Sequence, residues 1–250
     1  MELTYTQYEL VFNILSLSCA AFFAATLFFF AGLSKVSNKY KIAVIVTGLV
    51  TFIAGYHYLR MFNSWGDAYT VIDGTVTATG AAFNVTYRYV DWLLTVPLLL
   101  IELILVMSLT PAEKVSKAAM LGSAAALMIV LGYVGEVSEG IDSTRLTWGS
   151  LSMIPFLYIV YSLFVGLSES ITKHDRSVQE LINVARWILV LSWCFYPVVY
   201  FAPYVMFLDS AEAQTIIEVG YTIADLVAKV VFGVVIFAIA VRKSQIEQTR

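Results

Sequence analysis

The chain has 250 residues, 60% of them apolar and only 13% charged, with a net charge of −3. A water-soluble domain carries roughly 25% charged residues, so the composition excludes an ordinary soluble protein and places the chain in a bilayer. Nothing in the charge balance suggests a nucleic-acid partner, and the two cysteines, Cys19 and Cys194, both sit in apolar runs where they read as small buried hydrophobes.

Crossing the hydrocarbon takes about 20 apolar residues in a helix. In chain order the candidate spans are about 9–33, 41–62, 83–107, 117–137, 147–168, 184–206 and 214–241. The start of the chain has Glu2 and Glu9 but no basic cluster, so the first run reads as a true span and not as a signal peptide. No repeat or low-complexity linker divides the seven, and residues 1–250 are expected to form a single domain.

Eleven of the 15 Lys and Arg residues fall in or beside one set of connections: Lys35, Lys39, Lys41, Lys114, Lys117, Lys173, Arg176, Arg186, Arg242, Lys243 and Arg250. The other set has Arg60 and Arg145 but is rich in acids: Asp67, Asp73, Glu136, Glu139, Asp142, Asp209 and Glu212. The positive-inside rule then sets the N-terminus outside and the C-terminus in the cytoplasm of a multi-pass protein of the cell membrane. In the connection after the second span, β-branched residues between Tyr69 and Ala78 flank Asp73-Gly74. That pair supplies the positive φ angles of a two-residue type I′ turn, predicting a short β-hairpin over the outer mouth.

Six ionisable residues fall inside spans: His57, Arg88, Asp91, Glu102, Asp225 and Lys229. Each costs several kcal/mol unless paired or solvated, so each is a functional candidate. Arg88, Asp91 and Thr95 share one face of the third span. Glu102, 11 residues past Asp91, lies on that face about 16 Å nearer the cytoplasm. Asp225 and Lys229, four apart, share a face of the seventh span. Two carboxylates, an arginine and a lysine make a nearly neutral buried cluster; a purely structural ion-pair network is the plainer reading of it, and an interfacial residue the plainer reading of His57. Aromatic residues gather near the cluster: Trp92, then Trp148 at the start of span five, then Trp193, Tyr196 and Tyr200 around Pro197. A desolvated lysine forms a Schiff base with a carbonyl compound, and aromatic walls suit a long, flat, apolar aldehyde. No metal site is expected.

These residues resemble the microbial rhodopsins. The segment from Arg88-Tyr-Val-Asp-Trp to Ile-Glu102 is similar to their signature third helix, Asp225-Leu-Val-Ala-Lys229 to their retinal-binding segment, and Trp193-Cys-Phe-Tyr-Pro197 to their sixth helix. The resemblance covers essentially the whole chain. It implies a seven-helix bundle, an ion transporter and not an enzyme, with all-trans retinal on Lys229 as a protonated Schiff base. It further implies that Asp91 is counterion and proton acceptor and Asp225 the second counterion. Thr95 supports the acceptor, Glu102 is the cytoplasmic proton donor, and Arg88 lies on the exit path. Trp92, Leu99, Met128, Gly132, Trp148, Ser152, Trp193, Tyr196 and Pro197 match retinal-pocket positions. Leu99 is the residue that accompanies green absorption at a colour-tuning site.

Asp, Thr and Glu at positions 91, 95 and 102 match the proteorhodopsin and xanthorhodopsin group of light-driven outward proton pumps. Two features lean toward the xanthorhodopsins. His57 matches a histidine paired with the acceptor, and Gly149 matches a glycine that opens a window for a carotenoid antenna; a packing glycine is the plainer reading there. The resemblance also implies a homo-oligomeric ring such as a pentamer. A sensory rhodopsin signalling to a partner is the alternative, and Glu102 discriminates, because a slow-cycling sensor needs no internal donor. Glu218 is a weak candidate for proton release.

Overall fold

The computed structural model describes residues 3–138, 143–206 and 210–249, with the backbone alone at 203–206. Glu2, Glu139, Asp142, Asp209 and Arg250 lie outside the described residues. Seven helical spans are long and apolar enough to cross a membrane. They are α1 (Tyr5–Gly32), α2 (Lys41–Ala68), α3 (Thr86–Val106), α4 (Pro111–Glu136), a fifth span built from α5 (Ser143–Tyr161) and α6 (Ser168–Thr172), α7 (Arg176–Met206), and a seventh built from α8 (Ser210–Asp225) and α9 (Phe232–Gln248). Each span packs beside the next, and α8 returns to α1, closing the bundle.

The helices run past the apolar windows. The second continues from about residue 62 to Ala68, and the sixth begins at Arg176 instead of 184. A hydropathy window finds only what lies in hydrocarbon, whereas backbone hydrogen bonding continues through polar turns. Capping sets the ends instead. Thr110 accepts from the Glu113 N–H while Glu113 accepts from the Thr110 N–H, so α4 starts at Pro111 and not at 117. Thr4 and Gln7 do the same for α1.

Two spans contain a wider turn, with i→i+5 bonding, at Ser162–Gly166 and at Leu226–Val231. The second holds Lys229. Such bulges interrupt helices mostly at functional sites. Close contacts between spans depend on small residues: a Cβ on Gly233 of α9 would stand 2.6 Å from the Thr47 methyl of α2.

The hairpin is present as expected. Strand β1 (Tyr69–Ile72) pairs antiparallel with β2 (Thr75–Ala78), Ile72 opposite Thr75. Asp73 and Gly74 have φ of 49° and 77°, both positive as a type I′ turn requires. Tyr69 anchors it, buried against Trp65 and donating to Gln214 of α8 at 3.2 Å.

Not every cation at the end of the bundle remote from the hairpin points to water. Arg186 and Lys243 are only 9% exposed, and each donates to a backbone carbonyl, Leu163 at 3.0 Å and Val106 at 2.7 Å. At the hairpin end, Arg145 of α5 is paired with Glu136 of α4 at 2.9 Å, both largely buried.

Candidate functional site

The sequence places Asp91 and Lys229 on separate spans, and the fold joins them. Lys229 Nζ lies 2.5 Å from Asp91 Oδ2 and 2.9 Å from Asp225 Oδ2, and all three side chains are at most 1% exposed. The i,i+4 spacing predicts the second pair; only helix packing makes the first.

The two carboxylates are not equivalent. Asp225 accepts from Tyr58 at 2.8 Å, from Trp92 Nε1 at 3.0 and 3.2 Å, and from Tyr196, besides Lys229. Asp91 is bound by Lys229 through one oxygen; its Oδ1 accepts no hydrogen bond from any described residue. Asp225 thus has a full set of donors, whereas one oxygen of Asp91 is left without one among the described residues. Tyr58 carries no sequence signal for this role, because a tyrosine in a span is ordinarily a packing or interfacial residue.

Arg88 departs from expectation. Its guanidinium is paired with Glu218 of α8 at 2.6 Å, both side chains 2% exposed, and it forms no ion pair with Asp91 or Asp225. The buried cluster thus holds three carboxylates and two cations. Thr95 donates to the backbone carbonyl of Asp91 at 2.8 Å, fixing the turn that carries Asp91 and not its carboxylate. His57 is buried, and its Nδ1 faces the Ile53 carbonyl at 2.9 Å; no hydrogen bond joins it to Asp91. A carbonyl only accepts, so this nitrogen carries a proton.

Glu102 is fully buried, and neither carboxyl oxygen has a hydrogen-bond partner among the described residues. The hydroxyl of Thr47 is spent on its own helix, at the Ala43 carbonyl. A bare carboxylate in such surroundings is costly.

A cavity of about 740 Å³, counting its open mouth, extends from Lys229 between α3, α4, α5 and α7. Trp92, Leu99, Met128, Gly132, Gly149, Ser152, Trp193, Tyr196 and Pro197 line it, with Tyr89, Val96, Phe156, Tyr200, Phe201 and Tyr221 among the further wall residues. Trp148 does not line it; that ring begins one residue too early on α5, beside Gly135. The further wall residues are apolar or aromatic, a type found on every span, so the sequence alone does not separate them from ordinary core. Three rings brace the lysine end: Trp92 meets Tyr196 and Tyr221 edge-on at 5.1 and 5.0 Å. Gly149 is buried, and a Cβ there would fall 2.6 Å from the Tyr200 ring and 3.0 Å from that of Phe201. These rings occupy the space beside it.

An apolar, aromatic slot ending in a buried amine between two carboxylates fits a long apolar aldehyde joined to the lysine. Seven spans around such a site define a helical membrane protein with an apolar slot that ends at a buried amine. The sequence matches the bacteriorhodopsin-like protein family over residues 10–243, and the chain belongs to that family, the microbial rhodopsins.

Among similar proteins, the green-light absorbing proteorhodopsin of Gamma-proteobacterium EBAC31A08 is 36% identical over 233 residues, covering 90% of this chain and 84% of that one. Bacteriorhodopsin of Halobacterium salinarum is 31% identical over 230 residues, covering 89% and 80%. The solved structure of xanthorhodopsin, described as a light-driven ion pump with dual chromophore, superposes with a TM-score of 0.94 at 48% identity and covers 99% of this chain and 98% of that one. Thermophilic rhodopsin follows at 0.93 and 47%, covering 98% of each chain.

Proposed function

We propose that this protein is a light-driven outward proton pump of the cell membrane, with its hairpin end outside and its C-terminus in the cytoplasm. The carrying observation is the inequality of the two carboxylates at Lys229: Asp225 saturated with donors, Asp91 with one oxygen free. The similarity to proteorhodopsin, bacteriorhodopsin and xanthorhodopsin supports the reading.

Lys229 would hold all-trans retinal in the slot, with Trp92 and Trp193 as walls and Ser152 and Gly132 toward its far end. Retinal, when bound, supplies light absorption and a change of shape that moves the Lys229 nitrogen relative to its counterions. The rest is done by the chain. Asp225, held by Tyr58, Trp92 and Tyr196, keeps its position. Asp91, within 2.5 Å of the nitrogen, takes the proton. His57, read as the acceptor's neighbour, is oriented by the Ile53 carbonyl and makes no hydrogen bond to Asp91. Arg88 and Glu218, a turn or more toward the hairpin, form the exit side. Glu102, a neutral acid on the opposite side, returns a proton to the nitrogen and refills from the cytoplasm. Acceptor outside and donor inside make transport one-way, storing about 2.3 kcal/mol per proton against 100 mV.

A sensory rhodopsin would share Lys229 and Asp91 but has no need of Glu102. Illumination of cells carrying the protein and added retinal, in weakly buffered medium, tests the reading. Acidification outside that a protonophore abolishes is expected; a coloured pigment with no pH change would refute the pump.

For a carotenoid antenna, the support is Gly149 in the cavity wall and the dual chromophore of xanthorhodopsin. Contact between a carotenoid and Gly149 requires Tyr200 and Phe201 to turn aside. We further read residues 1–250 as one domain that assembles into a homo-oligomeric ring.

A further inference from the structure

The end of α3 remote from the hairpin is fastened from three directions. The last carbonyls of a helix lack partners within it. Here Lys243 of α9 donates to the Val106 carbonyl at 2.7 Å, and Lys114 of α4 to the Leu105 carbonyl at 2.8 Å. His174, between α6 and α7, accepts the Ser108 N–H through Nε2 at 3.1 Å.

A lysine at a helix C-terminus is favourable, but such lysines normally keep the ammonium in water. Lys243 does not: it is 9% exposed, and its ammonium stands 4.7 Å from the centre of the Tyr40 ring. Among the described residues no carboxylate forms an ion pair with it. Glu247 of the same helix is engaged by Lys39 and Tyr40 instead. Burying an ammonium costs several kcal/mol, and a backbone carbonyl and a ring face offset only part of that. A plain cap could be made by an exposed lysine, so the burial itself calls for a role.

The location supplies one. Val106 is one turn beyond Glu102, about 6 Å along α3. Lys243 is 14 residues, nearly four turns, beyond Lys229 on the seventh span. Between Glu102 and the end of the bundle, Leu103, Val106, Met107 and Tyr40 are all buried, and Lys243 closes the column.

We propose that Lys243 is a positioning residue for reprotonation. Its ammonium holds the end of α3 shut and sets a fixed positive charge between Glu102 and the aqueous phase. Closure and charge together slow the entry of a proton from the aqueous phase, so Glu102 refills only when this fastening opens. The inference rests on the reading of Glu102 as the donor.

The test compares Lys243→Met and Lys243→Arg with the unaltered protein in lipid nanodiscs, by two readouts. The first is amide hydrogen exchange over residues 103–110, with and without added retinal. Lys243→Met should exchange about tenfold faster, as expected for losing a charged hydrogen bond, and Lys243→Arg should stay near the original. Equal exchange in Lys243→Met overturns the proposal. The second is proton uptake after a flash, followed with a pH-indicating dye. Uptake should be several-fold faster in Lys243→Met, and unchanged or slower uptake overturns the proposal. If Lys243→Met does not fold, Lys243→Gln, which lacks the charge, takes its place with the same expectations. Failure of the pump reading would appear separately, as absent light-driven acidification by the unaltered protein, while the exchange readout still reports on the fastening.

Discussion

Arg88 and Glu218, 130 residues apart in sequence, form a buried ion pair at 2.6 Å with 2% of each side chain exposed. The arginine is therefore paired directly with α8, and the two carboxylates at Lys229 share that lysine as their direct ion-pair partner. Removing one partner of such a pair leaves a buried charge uncompensated, at a cost of about 3–5 kcal/mol. Glu218→Gln should lower the thermal midpoint of the pigment and release Arg88 toward Asp91 or Asp225. In the pump, the order of proton release and uptake after a flash should change. If a pH-indicating dye showed the same order and rates, Glu218 would have no part in the exit path.

Asp91 and Asp225 should respond differently to neutralisation. Asp91→Asn removes the charged, proton-accepting carboxylate beside the Lys229 nitrogen, so light-driven acidification should vanish and deprotonation of that nitrogen should slow by about 10²-fold or more. Asp225→Asn instead disturbs the donors Tyr58, Trp92 and Tyr196, and its main effect should be on pigment yield and stability. Transient absorption and thermal bleaching separate the two. Equal loss of proton transfer with equal loss of stability in both variants would contradict the assignment.

Glu102 forms no ion pair among the described residues, so its isosteric replacement should leave the fold intact. Glu102→Gln should slow recovery of the resting pigment by about 10²-fold, with the delay growing as pH rises because the proton must then come from water. A small permeant weak acid should restore the rate. Recovery as fast as in the unaltered protein would remove Glu102 from the donor role.

Gly149 is a test of space. A Cβ there already meets the Tyr200 ring at 2.6 Å, so larger side chains must displace Tyr200 or Phe201. Overpacking of this kind costs about 1–3 kcal/mol. Gly149→Trp should eliminate any carotenoid-sensitised excitation of the pigment. Sensitisation that survives in the excitation spectrum would mean the carotenoid, if bound, lies elsewhere.

His174 gives a pH dependence with a defined sign. Its ring is pushed down to about 4 from an ordinary value near 6.5, chiefly by burial and then by the positive charges of Lys243 and Lys114. The unfolded state thus binds more protons than the folded one between those values. Its contribution to stability is complete above about 6.5 and is lost as pH falls through about 4. Protonation also removes the acceptor that holds the Ser108 N–H. Thermal midpoints measured from pH 7 to pH 4 should fall less steeply in His174→Ala than in the unaltered protein. Parallel slopes would show that this ring does not contribute.

The sequence determined whatever depends on one element at a time. Span number follows from bilayer thickness, the hairpin from the backbone freedom of Asp73-Gly74, and the Asp225–Lys229 pair from helical periodicity. The slot residues Trp92, Leu99, Met128, Gly132, Gly149, Ser152, Trp193, Tyr196 and Pro197 were legible through a resemblance of motifs; Trp148 was misplaced because one residue turns a helix by about 100°.

What only the tertiary structure decided are the partnerships between spans. The Asp91–Lys229 contact, Tyr58 and Tyr196 on Asp225, Arg88 on Glu218 and Lys243 on Val106 all join residues at least 29 positions apart. The widened turn around Lys229 has no proline or glycine to announce it. Local spacing fixes which face a side chain takes on its own helix. Which helix meets that face is set by packing, and packing also surrounds Asp225 with donors while leaving one oxygen of Asp91 without one among the described residues.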